Sequence, residues 1–367
     1  MVLNDICEFI VDCPHSTAPD EGEGYPIIRT PNVGRGRLIL DGVQRVSKAT
    51  YDKRNIRAVP QKDDIIFARE APAGNAAIIR AGQEVCLGQR TVLIRPDKKK
   101  VCPQFLAYYI LAPKQQYELL GTANGATVAH VNIPKIEIQE RIAEILSSYD
   151  DLIENNKKQI KLLEEAAERL YREWFVDLHF PGCEDVKIVD GVPKGWLDGT
   201  VGNIALFKRG KTITKAQIHK GNVPVVAGGL EPAYYHNVAN TVAPVITISG
   251  SGANAGFARL YNVDVFASDC SFVDSQTTPY LFWVYCFIKD SKAKLDSLQK
   301  GAAQPHVYAK DINALKIYIP TDDILDRFCK VVAPYFGKIK NFQRQNDLLL
   351  QARDRLLPRL MSGEVEV

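Results

Sequence analysis

The sequence predicts an α+β protein of two mostly β globules separated by two long helices. The helices are expected to pair as an antiparallel coiled coil, giving a pseudo-twofold internal repeat. Three observations carry that expectation. The first is RIAEILSSYDDLIENNKKQIKLLEEAAERLYREWF, Arg141 to Phe175, which has no Gly or Pro and is dense in Glu, Lys, Leu and Ile. The second is its echo near the C-terminus, RFCKVVAPYFGKIKNFQRQNDLLLQARDRLLPRL, Arg327 to Leu360. The third is the character of the remainder, short β-branched and aromatic runs bounded by Gly, Pro and Asn.

The echo is quantitative. At a constant offset of 186, Arg141 meets Arg327, Tyr149 meets Tyr335, Ile153 meets Ile339 and Asn155 meets Asn341. Gln159 with Gln345, Leu163 with Leu349, Ala166 with Ala352, Arg169 with Arg355 and Leu170 with Leu356 continue it. A chain of 367 residues exceeds the size at which a single core stops growing, so two domains are the simplest division. The expected boundaries are 1–135 for the first globule, 136–178 for the first long helix and 179–196 for a linker. The second globule is expected over 197–320 and the second long helix over 321–362.

Within the globules, PVITIS, CSFVD, RTVLIRP and LKIYIP read as strands. FLAYYILAPKQQYELL and LFWVYCFIKDSKAKLDSL have helical spacing and length. Tyr25 to Asn32 resembles Val223 to Leu230, Asp64 to Ile78 resembles Val245 to Ala258, and Gln104 to Leu111 resembles Tyr280 to Ile288. GATVAHV and GAAQPHV each place a His five residues after Gly, His130 and His306. That pair stands at offset 176, so the second half carries ten extra residues between its His and its helix. The linker HFPGCEDVKIVDGVPKGW is rich in Pro, Gly and Asp.

Written as heptads, the first helix sets Ile142, Tyr149, Asn156, Leu163 and Leu170 at one core position. Ile145, Leu152, Gln159, Ala166 and Glu173 fall at the other. The second helix sets Phe328, Tyr335, Phe342, Leu349 and Leu356 opposite Val331, Lys338, Gln345, Ala352 and Arg359. An apolar seam with polar insertions is the pattern of a coiled coil held to one register. A further stripe, Ile153, Ile160, Ala167 and Trp174, widens the first helix's apolar face, which suggests a second partner. The other reading is a pair of amphipathic helices packed on their own domains, although about 35 residues far exceeds ordinary globular length.

Composition narrows the function classes. The net charge of +3 is too mild to announce nucleic acid by itself. No apolar run reaches a membrane span and the start lacks a signal peptide's basic region, so a cytoplasmic protein is expected. The eight cysteines form no CxxC pair and read as reduced, buried thiols rather than a metal site. The GKT at Gly210 to Thr212 has Ala205 where a phosphate loop requires glycine. No Gly-x-Ser-x-Gly elbow, HExxH or Asn-Pro-Pro-aromatic methyltransferase tetrapeptide occurs, which favours a binding protein over an enzyme.

Basic residues collect in turns that interrupt the β runs. The first globule offers Arg29, Arg35, Arg37, Arg45, Lys48, Lys53, Arg54, Arg69 and Arg90. The second offers Lys208, Arg209, Lys211, Lys215, His219, Lys220 and Arg259, with Ser251 in the turn GSGANAG. Such side chains can contact phosphates, and a few can read base edges. Solvated loop charge is the alternative for each taken singly. For His130 and His306, a shared binding role and a loop-shaping hydrogen bond are equally open. At the level of the whole chain, the competing class is a non-catalytic scaffold that binds protein or glycan through the same loops.

These residues resemble a known family. DICEFIVDCPHSTAPDEGEGYPIIRTPNV, GATVAHV running into QERIAEILSSYDDLIENNKKQIKLLEEAAERLYREWF, PKGW, GAAQPHVYAKDINALKIYIP and RLLPRLMSGEV resemble the specificity subunit of type I DNA restriction–modification systems. The resemblance implies two target-recognition domains, each reading one half of a bipartite site in double-stranded DNA. It implies helices that set the spacer and dock two modification subunits, with restriction subunits joining for ATP-dependent translocation and cleavage. It places no catalytic residue, cofactor or metal in this chain; S-adenosylmethionine and adenine methylation belong to the modification subunits.

Overall fold

The computed structural model describes residues 2–70, 73–121, 131–300 and 305–367. In chain order the first globule supplies β1 (Cys7–Asp12), β2 (Tyr25–Ile28), β3 (Gly36–Arg37), β4 (Arg45–Val46), α1 (Lys48–Arg54) and β5 (Ile65–Ala68). β6 (Ala76–Ile78), β7 (Cys86–Leu87), β8 (Thr91–Pro96), α2 (Pro103–Leu111) and α3 (Pro113–Gly121) complete it. A five-stranded sheet runs β1-β8-β5-β6-β3, and a three-stranded one runs β4-β2-β7. The central strands are apolar on both faces because both faces are covered. Ile65, Phe67, Val92 and Ile94 turn to a core shared with Phe105, Leu106 and Tyr109 of α2. The alternate residues Ile66, Ala68 and Leu93 turn to a second core with Ile28, Val33 and Leu87. α1 starts where Ser47 accepts a hydrogen bond from the Thr50 amide.

α4 (Ile136–Tyr171) follows, 36 residues long, and ends in a π turn over Arg172–Val176. The segment expected as a linker is partly structured. It forms a hairpin of β9 (Ile188–Val189) and β10 (Val192–Pro193). The ring of buried Phe180 lies 5.5 Å from that of Trp196.

The second globule holds β11 (Leu197–Thr200), α5 (Val201–Ile204), β12 (Lys208–Arg209), β13 (Val223–Val226), β14 (Tyr234–His236), β15 (Val245–Ser249) and β16 (Ala258–Tyr261). It continues with β17 (Phe266–Ala267), β18 (Cys270–Asp274), α6 (Leu281–Asp290), α7 (Lys292–Ser297), α8 (Ala309–Asn313) and β19 (Lys316–Ile319), before α9 (Asp322–Ser362). The sheet order β12-β18-β15-β16 repeats β1-β8-β5-β6, and β14-β13-β17 repeats β4-β2-β7. The pairing directions repeat too: β2 runs antiparallel to β4 and parallel to β7, as β13 does to β14 and β17. The hairpins close on equivalent glycines with positive φ, Gly74 and Gly256, whose amides donate to Ala68 and Ser249. The ten extra residues fall within the segment that forms α8 and β19. β19 pairs with β11, and Asn313 bonds both backbone groups of Phe207.

The chain divides into two compact units, residues 1–156 with 345–367, and residues 157–344. Both boundaries cut the long helices, so each unit holds one globule, one half of α4 and one half of α9. The buried stripe of α4 runs Ile142, Leu146, Tyr149, Ile153, Asn156, Ile160, Leu163, Ala167, Leu170 and Trp174, in alternating steps of four and three. That of α9 runs Leu325, Phe328, Val332, Tyr335, Ile339, Phe342, Asn346, Leu349, Arg353, Leu356 and Leu360 in the same rhythm. The expected heptad frame is therefore half corrected. Its first row is at least half-buried throughout, and Ile145 of the second row packs half-buried on the core, but Leu152 is 52% exposed. Gln159, Ala166, Glu173, Val331, Lys338, Gln345, Ala352 and Arg359 also face solvent. On α4, Leu146, Ile153, Ile160, Ala167 and Trp174 are apolar without interruption, whereas the expected row turns polar at Gln159 and Glu173. Burial selects the unbroken row.

The two units fill their cores with different chemistry. In the first, Asn156 donates to Asn346 at 3.0 Å and to Gln345 at 3.4 Å. Asp150 accepts from the Tyr108 hydroxyl at 2.6 Å and from buried Arg353, which also pairs with Asp354 at 2.8 Å. In the second, aromatic rings do this work. Phe282 stacks on Phe336 at 4.4 Å, and Phe328 meets Tyr171, Trp174 and Phe175 within 6.3 Å.

Candidate nucleic-acid interface

The basic residues of the first unit fall on its strands, its turns and α1, and four of the nine, Arg37, Lys48, Arg69 and Arg90, have carboxylate partners. Arg69 pairs with Asp12 at 2.9 Å and Arg90 with Glu70 at 3.1 Å. The Arg69 amide bonds the Arg90 carbonyl, which holds these two side chains on adjacent backbone. Lys48 pairs with Asp52 at 2.5 Å and lies 4.9 Å from the Tyr51 ring centre; the bond to Asp52 raises its pKa. Arg37 is engaged by α4, with Asp151 at 2.7 Å and Glu154 at 3.6 Å. Arg35 projects from the turn closed by the Gly34 amide and the Arg37 carbonyl, and Arg29 precedes the 3₁₀ turn Thr30–Asn32. Both are exposed.

Two of the remaining basic residues are structural. Arg54 is buried and donates to the carbonyls of Leu87, Ser16 and Pro14, which staples the loop after β1 to β7. Arg45 donates to the Gly24 carbonyl at 2.6 Å. His130 lies outside the described residues.

The second unit differs. Lys208, Arg209, Lys211, Lys215 and Lys220 are all exposed, and no carboxylate stands within 4.0 Å of them among the described residues. Lys215 lies 5.7 Å from the ring centre of Tyr234, and the His219 ring stacks on His236 at 6.0 Å. Arg259 is held by Glu231 at 3.3 Å and by the Leu230 carbonyl at 2.7 Å, with its guanidinium 4.9 Å from the Tyr261 ring centre.

Ser251 donates to Asp269, and Ser249 donates to the Gly228 carbonyl at 3.0 Å. His306 sits beside this turn. Its backbone exchanges hydrogen bonds with Lys300, and its neighbours Pro305 and Val307 bond Gly252 and Gly250. The His306 ring stacks on Tyr308 at 6.0 Å. The backbone around His306 thus shapes the Gly250–Gly252 turn.

Two features escape the sequence reading. One is the set of carboxylates that neutralise the first unit's cations, since Asp12, Asp52 and Glu70 become partners only through folding. The other is the exposed pair Tyr234 and Tyr235 on β14, 38% and 57% accessible, beside Lys215. Two adjacent tyrosines after the turn GGLEPA were the available signal.

Five of the eight free cysteines, Cys7, Cys13, Cys86, Cys270 and Cys286, are buried, and Cys102, Cys183 and Cys329 are half-buried. Burial pushes Cys7 and Cys270 up to about 12, and Cys86 and Cys329 up to about 11. Among the described residues no group of three or more His, Cys, Asp or Glu could hold a metal ion. No helix among them is long and apolar enough to cross a membrane.

Comparison with known proteins agrees with this duplicated plan. The family model described as type I restriction modification DNA specificity domain matches residues 1–165 and again 193–348. The type I restriction enzyme MjaIX specificity subunit of Methanocaldococcus jannaschii is 28% identical over 365 residues, spanning 90% of this chain and 83% of that protein. The HindI specificity subunit of Haemophilus influenzae is 22% identical, spanning 83% of this chain and 87% of its own. In fold, the crystal structure of the type I restriction–modification system S subunit from M. genitalium matches with a TM-score of 0.52 at 17% identity, over 98% of this chain and 95% of that one. Two family matches, one over each globule and together covering most of the sequence, settle the relationship: the chain belongs to the type I restriction–modification DNA specificity domain family.

Proposed function

We propose that this chain is the sequence-reading, non-catalytic subunit of a cytoplasmic type I restriction–modification complex. Each globule reads one half of a bipartite site in double-stranded DNA. The observation that carries the reading is the double family match laid over two globules of the same strand order. Two readers of one architecture suit a target with two half-sites. Nothing in the geometry favours the protein- or glycan-binding scaffold.

In this reading α4 and α9 pair antiparallel as a pseudo-twofold spacer. At 1.5 Å per residue, helices of 36 and 41 residues are about 54 and 62 Å long. At 3.4 Å per base pair that is about 16–18 base pairs, room for two short half-sites and a gap. The polar contacts of Asn156 with Asn346 and Asp150 with Arg353 support a fixed register. Exposed apolar side chains on the helices, including Leu152, Leu162, Val331 and Leu348, support a docking face for two modification subunits. Those subunits supply S-adenosylmethionine and the methyl transfer, and restriction subunits join them for cleavage. The seam residues are Ile142, Tyr149, Asn156, Leu163, Leu170, Trp174, Phe328, Tyr335, Phe342, Leu349 and Leu356.

The cations free to meet DNA are Arg29, Arg35, Lys53, Lys208, Arg209, Lys211, Lys215 and Lys220. Lys48, Arg69 and Arg90 must exchange a carboxylate for a phosphate to do so. The test is co-expression with the modification subunits followed by mapping of methylated adenines. A two-part consensus with a fixed gap is expected, and methylation without one would refute the proposal.

A further inference from the structure

We propose that the loop joining β12 to β13, residues 210–222, is a phosphate-contacting surface with no counterpart in the first unit, so that the two halves of this chain grip DNA unequally. The inference rests on the DNA-reading function above.

The loop after β1 and the loop after β12 are equivalent by their anchoring. Each leaves an edge strand of its sheet and returns on the middle strand of the three-stranded sheet. The Cys13 amide donates to Thr91 at 3.1 Å, and the Gly210 amide donates to Cys270 at 2.8 Å, the first residue of the matching strand. Their charges are opposite. Residues 13–24 carry Asp20, Glu21 and Glu23 with no Lys or Arg, following Asp12. Residues 210–222 carry Lys211, Lys215 and Lys220 with no Asp or Glu, following Lys208 and Arg209.

The acids of the first loop hold its structure. Asp20 accepts from the amides of Gly22 and Arg45, both at 3.1 Å. Glu21 accepts from the amide and hydroxyl of Ser47, and the amide bond keeps its carboxyl below the usual range. An acidic loop stitched to β4 and α1 repels a phosphate backbone. The basic loop is ordered by backbone amides and by Gln217, which accepts from the Thr214 amide and hydroxyl, so its ordering does not use the lysines. The Lys211 amide donates to Ala267 at 2.9 Å, and the His219 amide to His236 at 3.1 Å. Gly210 allows the close approach, since a Cβ there would lie 2.2 Å from the Ser268 carbonyl. The lysines therefore stand on ordered backbone with no carboxylate partner among the described residues, Lys215 over the Tyr234 ring. An unpaired cation meeting a phosphate releases a counterion at once, whereas a paired one must first give up its carboxylate.

The experiment titrates the full chain, alone and assembled with its modification subunits, with a 40-base-pair duplex across a salt series. The slope of log affinity against log salt counts phosphate contacts, at about 0.9 per contact. Replacing Lys211, Lys215 and Lys220 together by Gln is expected to lower the slope by about 2–3, and each single replacement by about 1. The matched first-unit set, Lys48→Gln, Arg69→Gln and Arg90→Gln, is expected to lower it by less than about 1. The single variants each remove one exposed charge, so the proposal does not depend on the triple variant folding. Unchanged slopes in the Lys211, Lys215 and Lys220 variants, or equal losses from the two sets, would overturn it. Failure of the wild-type protein to bind duplex at low salt in either form would instead overturn the DNA-reading function, and the two failures are distinct.

Discussion

Replacing Asp150 by Asn leaves the Arg353 guanidinium in a site built for a carboxylate. The side chains are 4% and 7% exposed, and Asp150 also accepts from the Tyr108 hydroxyl, whose own ionisation is pushed far up by burial and then by Asp150. Burial disfavours the charge on Arg353, yet Asp150 and Asp354 together hold its pKa above the ordinary value. Losing one partner of such a pair costs about 3–5 kcal/mol, because the remaining charge stays desolvated. Asp354 is half-exposed and compensates in part, so about 3 kcal/mol is expected for Asp150→Asn.

For a unit of this size that corresponds to a fall of roughly 6–12 °C in the first unit's melting transition. The repeat suggests the control. At an offset of 186 the second unit has Phe336 in place of Asp150 and Ala167 in place of Arg353, both buried. The double replacement Asp150→Phe with Arg353→Ala removes both charges and is expected to cost less than either single change, within about 1 kcal/mol of wild type. Calorimetry of the full chain follows both transitions. A single replacement that moves neither transition by about 2 °C, or a double replacement that costs the sum of the singles, refutes the buried-pair argument.

Burial, then Glu168, raises the pKa of Glu164 against the pull of Lys289. A carboxyl that binds its proton more tightly when folded contributes stability at low pH and loses it as pH climbs from 4.5 through its raised value. Glu164→Gln should therefore flatten the fall in Tm across that window and raise Tm at pH 7; an unaltered profile counts against it. Leu163→Asp or Leu349→Asp puts a charge in the buried stripe and is expected to abolish assembly with the modification subunits on size exclusion, an outcome that intact complexes would disprove. Deleting seven residues from each long helix shortens it by about 10 Å, so the gap in the methylated consensus should shrink by about 3 base pairs. An unchanged gap would remove the spacer role.

The sequence was most legible where one physical demand dominates. IIFA and TVLI, or VITIS and CSFVD, are buried at every position and mostly apolar, because two cores meet across each central strand. Such runs read as strands without help from context. The extra stretch before the second helix was visible as an insertion, but its pairing of β19 with β11 was not, since LKIYIP and LDGT are far apart in sequence. The linker's Pro and Gly correctly marked turns, but Phe180 and Trp196 pack there as core residues. Site residues were less legible still. Arg54 reads like any loop cation, and only the three carbonyls around it reveal a staple. Arg69 and Arg90 look as available as Lys211 until Asp12 and Glu70 are placed beside them.

The long helices show why a correct repeat can still carry an incorrect frame. Identity at offset 186 marks the residues that the two copies share, and Tyr149, Leu163 and Leu170 with their echoes lie in the buried row. Gln159, Ala166 and Arg169 are equally well matched, yet they face solvent. Identity therefore records a common ancestor or a common surface as readily as a common core. The residues that divide the two possibilities are those the copies do not share. Leu146 against Val332 and Trp174 against Leu360 differ in shape but remain apolar, as packing demands. Asp150 against Phe336 and Ala167 against Arg353 differ in charge, and the structure meets that difference with a hydrogen-bonded pair in one unit and a ring stack in the other. The loops after β1 and β12 diverge in the same way at the surface, acidic where the carboxylates stitch the loop down and basic where the backbone does so. Divergence between copies, read against burial, is what separates the scaffold from the features particular to each half.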